Sequence, residues 1–94
     1  MYTIKSVSHE GTWYLVNGWW KYKAYWQEFD QCVPESLFKR KADAKRSLTK
    51  LLQYTMAEYG NDDFTLVKLE WDDEYWCYTE KEIEKITIDN KNQI

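Results

Sequence analysis

The chain has 94 residues, a formal net charge of -3 and an aromatic content of 18%, with six tryptophans. A chain of this length is sufficient for one small domain. Its high aromatic content excludes intrinsic disorder over most of the chain. No apolar run approaches the roughly 18 residues of a membrane span, and no signal-peptide pattern follows the N-terminus, so we expect a cytoplasmic protein.

The first third of the sequence predicts an antiparallel meander. Residues 2–7 alternate as a strand does, Glu10-Gly11 is a turn, and residues 12–16 form a second aromatic and β-branched run. Asn17-Gly18 is typical of a type I′ hairpin turn, because both residues tolerate positive φ angles. This turn predicts a third strand over residues 19–29.

A helix and two further strands are predicted next. Residues 41–59 carry apolar side chains at offsets of a 3.6-residue period, and Gly60-Asn61 is a typical helix stop. Residues 64–71 alternate as a strand, Asp72-Asp73 makes a turn, and residues 74–78 form a short aromatic strand. The chain then predicts the element order β-β-β-α-β-β.

The end of the chain is ambiguous. Thr79 and Glu82 have the spacing of a capping box, which favours a helical turn over residues 80–85. Ile86 and Ile88 instead alternate as in a strand, so we predict a turn of helix followed by a short edge strand. The expected fold is an α+β domain over residues 1–89, an antiparallel sheet of four to six strands against one long helix. Residues 90–94 are expected to form a flexible tail.

Basic and acidic residues are concentrated in different parts of the sequence. Six cations crowd the predicted helix and the loop before it: Lys39, Arg40, Lys41, Lys45, Arg46 and Lys50. From residue 58 to residue 89, eleven acids face three lysines, which leaves eight net negative charges. Because such a field steers association and selects partners, it predicts a macromolecular partner that is recognised electrostatically.

The acidic stretch predicts a surface that binds a protein with a basic nucleic-acid channel. Carboxylates would face that channel, and exposed aromatic rings would serve as apolar anchors, since binding hot spots favour Trp and Tyr. The residues assigned to this surface are Asp62, Asp63, Glu70, Trp71, Asp72, Asp73, Glu74 and Trp76, with Tyr75 as a further possible anchor. The alternative is an ordinary solvated acidic face.

The basic cluster predicts a second function, a small nucleic-acid-binding module. Its cations would contact phosphates, and interleaved aromatic residues, Trp20 among them, would stack on unpaired bases. The residues assigned to this alternative are Lys39, Arg40, Lys41, Lys45, Arg46, Trp19 and Tyr22. Lysines also commonly fill the solvated face of a helix, which is the simpler interpretation.

No catalytic constellation is found in the sequence. His9 has no nucleophile motif or oxyanion loop near it, and Cys32 and Cys77 are not a closely spaced zinc-ligand pair. Consecutive residues of a strand point to opposite faces, so the acids at 72–74 offer no fixed set of metal ligands. The chain has only three glycines and no glycine-rich phosphate loop. We expect neither an enzyme nor a bound metal or cofactor.

Four stretches carry a resemblance to a known group of proteins. They are Tyr2-Thr3-Ile4-Lys5, Tyr14-Leu15, Phe38-Lys39-Arg40-Lys41-Ala42-Asp43-Ala44 and Leu66-Val67-Lys68-Leu69-Glu70. Their β-β-β-α-β pattern resembles that of small uncharacterised proteins of phages and mobile elements of Gram-positive bacteria. The resemblance implies an accessory protein that inhibits a host defence or nucleic-acid-processing protein, of the anti-CRISPR or anti-restriction type, and it transfers no catalytic residue.

One position departs from the pattern of those proteins. They usually place Ser or Thr at the cap of the helix, whereas this chain has Arg40, which cannot accept hydrogen bonds from the first backbone N–H groups. Asp43 in the first turn compensates in part through the helix dipole.

Overall fold

A computed structural model describes residues 1–54 and 63–86 of the chain. The strands are β1 (Tyr2–Ser8), β2 (Gly11–Leu15), β3 (Trp26–Gln27), β4 (Asp63–Asp72) and β5 (Cys77–Ile86). The helices are α1 (Trp19–Tyr22), a single turn, and α2 (Lys41–Tyr54). All strand pairs are antiparallel, in the sheet order β3-β2-β1-β4-β5, so the predicted α+β class is confirmed.

Strand β1 lies at the centre of the sheet and holds three parts of the chain together. It pairs with β2 in the predicted N-terminal hairpin, and with β4 along its other edge. Its first residue, Tyr2, also exchanges two backbone hydrogen bonds with Phe38, at 2.7 and 2.8 Å. The loop that leads into α2 is therefore fixed to the end of β1.

The predicted third strand over residues 19–29 is wrong for most of its length. Gly18 does adopt a positive φ of 77°, but the chain turns there into α1, and only Trp26–Gln27 pair with β2. Asn17 is held by the loop before α2, since its amide side chain donates to the Leu37 carbonyl at 2.9 Å. The ring of Trp19 packs against Tyr25, 5.3 Å between centroids. These tertiary contacts outweigh the strand preference of the aromatic run.

The conformation of Gly18 gives a stability prediction. Because φ is 77° there, a Cβ would be forced into the left-handed region, and Gly18→Ala should lower the free energy of unfolding by about 1–2 kcal/mol. Urea unfolding followed by circular dichroism measures this loss. Gly18→Asn is the matched control and should lose less, because Asn tolerates that region; equal losses would contradict the explanation.

Helix α2 lies on one face of the sheet and closes the main core. It begins at Lys41 as predicted and buries Ala44, Leu48, Leu51 and Leu52. The buried residues packed with these four are Ile4, Leu15, Phe38, Phe64 and Leu66. The helix has 14 described residues and is not the long helix predicted; residues 55–59 and the stop at 60–61 lie outside the described part.

The predicted helical turn over residues 80–85 is wrong, because the whole segment belongs to the edge strand β5. The strand pairs with β4 from Asp72 to Phe64, with a register shift between Leu66 and Val67. Ile83 and Ile86 pack against the main core. Pairing and burial together outweigh the local capping signal. Residues 87–94, including the predicted flexible tail, lie outside the described residues.

The opposite face of the sheet carries a second, smaller core. Its buried members are Tyr14, Cys32, Leu37, Val67 and Leu69. Two short 3-10 turns, Phe29–Gln31 and Pro34–Ser36, lie in the segment that supplies Cys32 and leads to Leu37. Both faces of the central strands are therefore covered. The far end of the β4–β5 hairpin contacts the second core through Tyr78.

Candidate functional site

The end of the β4–β5 hairpin extends beyond the rest of the sheet. Strand β1 begins opposite Lys68, so its pairing with β4 ends there, while β4 and β5 stay paired as far as Asp72 and Cys77. Apart from two hydrogen bonds between Leu69 and Met1 and the packing of Tyr78 against the second core, the hairpin continues as a two-stranded ribbon. We call residues 70–79 the hairpin tip.

Three large aromatic side chains of the hairpin tip are open to solvent. Trp71 is 50% exposed, Tyr75 is 70% exposed and Trp76 is 79% exposed. Trp71 packs edge-on against Tyr78, with 5.2 Å between ring centroids. A two-stranded ribbon has no core of its own, so the fold does not enclose these rings. Exposed large apolar side chains in one place are typical of an interaction surface.

The turn of the hairpin tip also carries three carboxylates. Asp72 accepts a hydrogen bond from the backbone N–H of Glu74 at 2.9 Å, which stabilises the turn, and Asp73 lies between them. Within residues 1–54 and 63–86, no ion pair joins Asp72, Asp73 or Glu74 to a cation. Trp76 has a positive φ of 55°, which directs the chain back into β5.

Within residues 63–86, the other glutamates of the acidic stretch pair with lysines. Lys68 lies 3.0 Å from Glu70 and holds the pKa of that carboxyl below its usual range through a hydrogen bond and its charge. Glu80 pairs with Lys5 at 2.7 Å, and Glu84 pairs with Lys45 of α2 at 2.9 Å. Apart from Asp63, the unpaired acids of this range therefore lie at the turn.

The structure brings together six of the eight residues assigned to partner binding. These six lie at the hairpin tip: Glu70, Trp71, Asp72, Asp73, Glu74 and Trp76. Asp63 starts β4, nine residues before Asp72 and about 30 Å away along the strand, so it does not belong to this surface. Asp62 lies outside the described residues.

A cleft of about 880 Å³ lies on another part of the molecule, beside the start of α2. The loop before α2, the first turns of α2 and the indole of Trp20 form its walls. The polar and aromatic residues that matter here are Trp20, Lys39, Arg40, Arg46, Ser47 and Lys50. We call this feature the basic cleft.

Only part of the predicted nucleic-acid-binding set lies in the basic cleft. Lys39, Arg40 and Arg46 line it. The others point to different surroundings: Lys41 lies 5.9 Å from the centroid of the Tyr2 ring, and Lys45 is paired with Glu84.

The aromatic half of that set is also only partly supported by position. Trp19 is partly buried against Tyr25 and Tyr54 and offers no free stacking surface comparable to that of Trp20, while Tyr22 lies in α1. The sequence indicated Lys50 and Trp20 as members of a charged and an aromatic group. It carried no signal for Ser47.

The remaining candidate residues do not form a site. His9 is exposed in the first hairpin loop, 3.9 Å from Glu10, while Cys32 is buried and Cys77 is exposed at the hairpin tip. Among the described residues, no group of three or more His, Cys, Asp or Glu side chains is placed to hold a metal ion. None of the helices in the described ranges is long and apolar enough to span a membrane.

Comparison with known proteins yields no family for this chain. No protein-family model, no curated protein and no solved structure matches it. The functional conclusion therefore depends on the two surfaces described above.

Proposed function

We propose that this protein is a non-catalytic, phage-type inhibitor that binds a host nucleic-acid-processing or defence protein, of the anti-CRISPR or anti-restriction type, through the hairpin tip. The observation that carries the proposal is the grouping of Trp71, Tyr75 and Trp76, all exposed, around three carboxylates that have no ion pair in the described residues. An aromatic centre beside acidic groups is the composition of a charge-selective binding surface.

The rings supply the affinity in this proposal. An aromatic side chain presents roughly 150–250 Å² of surface, and truncating an interface hot spot typically costs about 2–4 kcal/mol. Trp71 and Trp76 flank the turn, so a narrow ribbon inserted into a groove would bury both of them. Trp71 is already oriented by Tyr78, which lowers the entropy lost on binding.

The carboxylates supply the selectivity. A protein that processes nucleic acid lines its channel with Lys and Arg, which bind phosphates. In the proposed complex, the positions of those phosphates are taken by the carboxylate oxygens of Asp72, Asp73 and Glu74. Complementary charge speeds encounter more than it strengthens the final complex. Occupation of the channel would exclude nucleic acid without any chemical step, in agreement with the absence of a catalytic motif in the sequence.

The test is a cleavage assay with purified defence nucleases of Gram-positive bacteria, guide-loaded CRISPR nucleases and restriction endonucleases among them. The wild-type protein should inhibit at least one of these nucleases when the DNA substrate is present at a lower molar concentration than the protein. Trp71→Ala with Trp76→Ala should raise the concentration for half-inhibition by about 100-fold or more, since two hot spots are lost. Trp13→Ala is the matched control, an exposed indole outside both the hairpin tip and the basic cleft, and should leave inhibition unchanged.

A second arm of the assay separates charge from apolar contact. Asp72→Lys with Asp73→Lys should slow association by about tenfold or more at low salt, with a smaller effect at high salt. Surface plasmon resonance on the immobilised nuclease measures both rates. The proposal is wrong if no nuclease in the panel is inhibited, or if the tip variants and the Trp13 control inhibit equally well.

A further inference from the structure

We propose that the basic cleft binds a nucleotide, either free or as one residue of a single strand, with its phosphate on Lys39 and Lys50 and its base on Trp20. This site is separate from the hairpin tip, and it does not depend on the function proposed for the tip. Two independent features of the cleft support it: its charge and an exposed indole at its wall.

The cleft keeps a positive charge after its internal ion pairs are counted. Asp43 pairs with both Arg40, at 2.8 Å, and Arg46, at 3.3 Å. Lys39 and Lys50 have no ion pair within the described ranges, and Glu35 is the other acid of the lining. Four cations against two acids leave a positive cleft at the N-terminal end of α2, whose backbone dipole also favours an anion.

Trp20 supplies a surface for a flat ring. It is 64% exposed, and its edge-on contact with Trp19, 5.4 Å between centroids at 85°, orients the indole at the cleft. Stacking of a base on an aromatic ring contributes about 1–3 kcal/mol. The cleft volume of about 880 Å³ falls within the range of small-molecule sites, roughly 300–1,000 Å³. Charge and stacking together therefore favour a nucleotide over inorganic phosphate.

The experiment measures binding of three probes to the full chain: adenosine monophosphate, inorganic phosphate, and a labelled oligothymidylate of about ten nucleotides. Calorimetry serves for the small probes and fluorescence anisotropy for the oligonucleotide. Saturable binding of the monophosphate identifies a free nucleotide as ligand, and binding of the oligonucleotide alone identifies a single strand. For one neutralised phosphate on a single strand, the log–log salt slope should be about -0.7.

Variants decide whether the cleft is responsible. Trp20→Ala and the pair Lys39→Glu with Lys50→Glu should each weaken binding by at least about tenfold, whereas Trp20→Phe should keep most of it. Lys81→Glu with Lys85→Glu is the charge-matched control on β5 and should bind nearly as well as wild type.

Three results would overturn the inference. One is no saturable binding of the monophosphate or the oligonucleotide up to about 1 mM. Another is binding of inorganic phosphate as tight as that of the monophosphate, since the base would then contribute nothing. The third is equal loss in the cleft variants and the β5 control. None of these results bears on nuclease inhibition, which is read from the tip variants.

Discussion

Leu66→Ala should lower the free energy of unfolding by about 2–5 kcal/mol. Leu66 is 0% exposed at the middle of β4, opposite Ile4 of β1, and it belongs to the core closed by Leu48 and Leu51 of α2. Truncation removes apolar contacts to the sheet and to the helix together. The paired strands hold the backbone in place, so the cavity cannot collapse.

The loss is large compared with the total stability of a domain this small. Stabilities of about 5–15 kcal/mol are usual, and for a domain of this length each kcal/mol shifts the melting temperature by about 4–8 °C. Urea and thermal unfolding followed by circular dichroism measure both quantities. Leu66→Met nearly conserves volume and should cost less than about 1.5 kcal/mol. A loss below about 1 kcal/mol for Leu66→Ala would show that β4 and α2 do not pack as described.

The parts of the fold that could be predicted are those in which local pattern and tertiary environment agree. Ile4 and Leu66 fall on one face by simple alternation, and the structure places them opposite each other in the core. The stripe of Ala44, Leu48 and Leu51 at helical spacing likewise matches the buried side of α2. In both cases a single amphipathic surface determines the structure.

The errors arose where one local signal fits two structures. Asn17-Gly18 permits positive φ, which suits a type I′ hairpin and equally the left-handed residue that begins α1 at Gly18. Thr79 has the spacing of a helix cap, yet its hydroxyl group donates to the Glu70 carbonyl across the hairpin at 3.3 Å. In each case, which of the two structures forms depends on a contact with a residue distant in sequence or space. Local periodicity carries no information about that contact.

The candidate site was predictable in the same uneven way. The proximity of Trp71 and Trp76 follows from a hairpin that turns between them. The turn was predicted at Asp72-Asp73 with a strand over residues 74–78, whereas the structure has the turn at residues 73–76 and begins β5 at Cys77. The neutralisation of Glu80 and Glu84 does not, because their lysine partners come from β1 and α2, 75 and 39 residues away in the sequence. Long-range ion pairs therefore decided which part of the acidic stretch keeps its charge.

The free energy of unfolding is expected to fall steeply as the pH rises above about 9. Burial raises the pKa of the Cys32 thiol to about 11, and the nearby charge of Asp30 adds to the shift. Burial also raises the pKa of Tyr14, whose hydroxyl group donates a hydrogen bond to the Glu80 carboxylate. The hydrogen bond to Glu80 raises the pKa of Lys5 as well. All three groups therefore hold their protons more tightly in the folded chain.

The direction of the pH effect follows from this binding of protons. A group whose pKa is raised on folding contributes its full stability below its unfolded pKa, about 8.5 for Cys and about 10 for Tyr, and loses it as the pH approaches the folded value. Cys32 alone should account for up to about 3 kcal/mol between pH 9 and pH 11, at about 1.4 kcal/mol per pKa unit. Tyr14 and Lys5 extend the loss to higher pH.

Two substitutions separate these contributions. Cys32→Ala should reduce the pH dependence of the free energy of unfolding from about pH 9 to pH 11. Tyr14→Phe should reduce it only above about pH 10. Both results are expected regardless of how much stability each variant loses near neutral pH. Urea unfolding at a series of pH values gives the slopes, which do not depend on the packing lost in each variant. The buried protonated thiol and phenol join the 28–33 segment to the sheet, so their ionisation should release that segment first. A slope in Cys32→Ala equal to that of wild type would show that this thiol titrates in the folded chain as it does in the unfolded one.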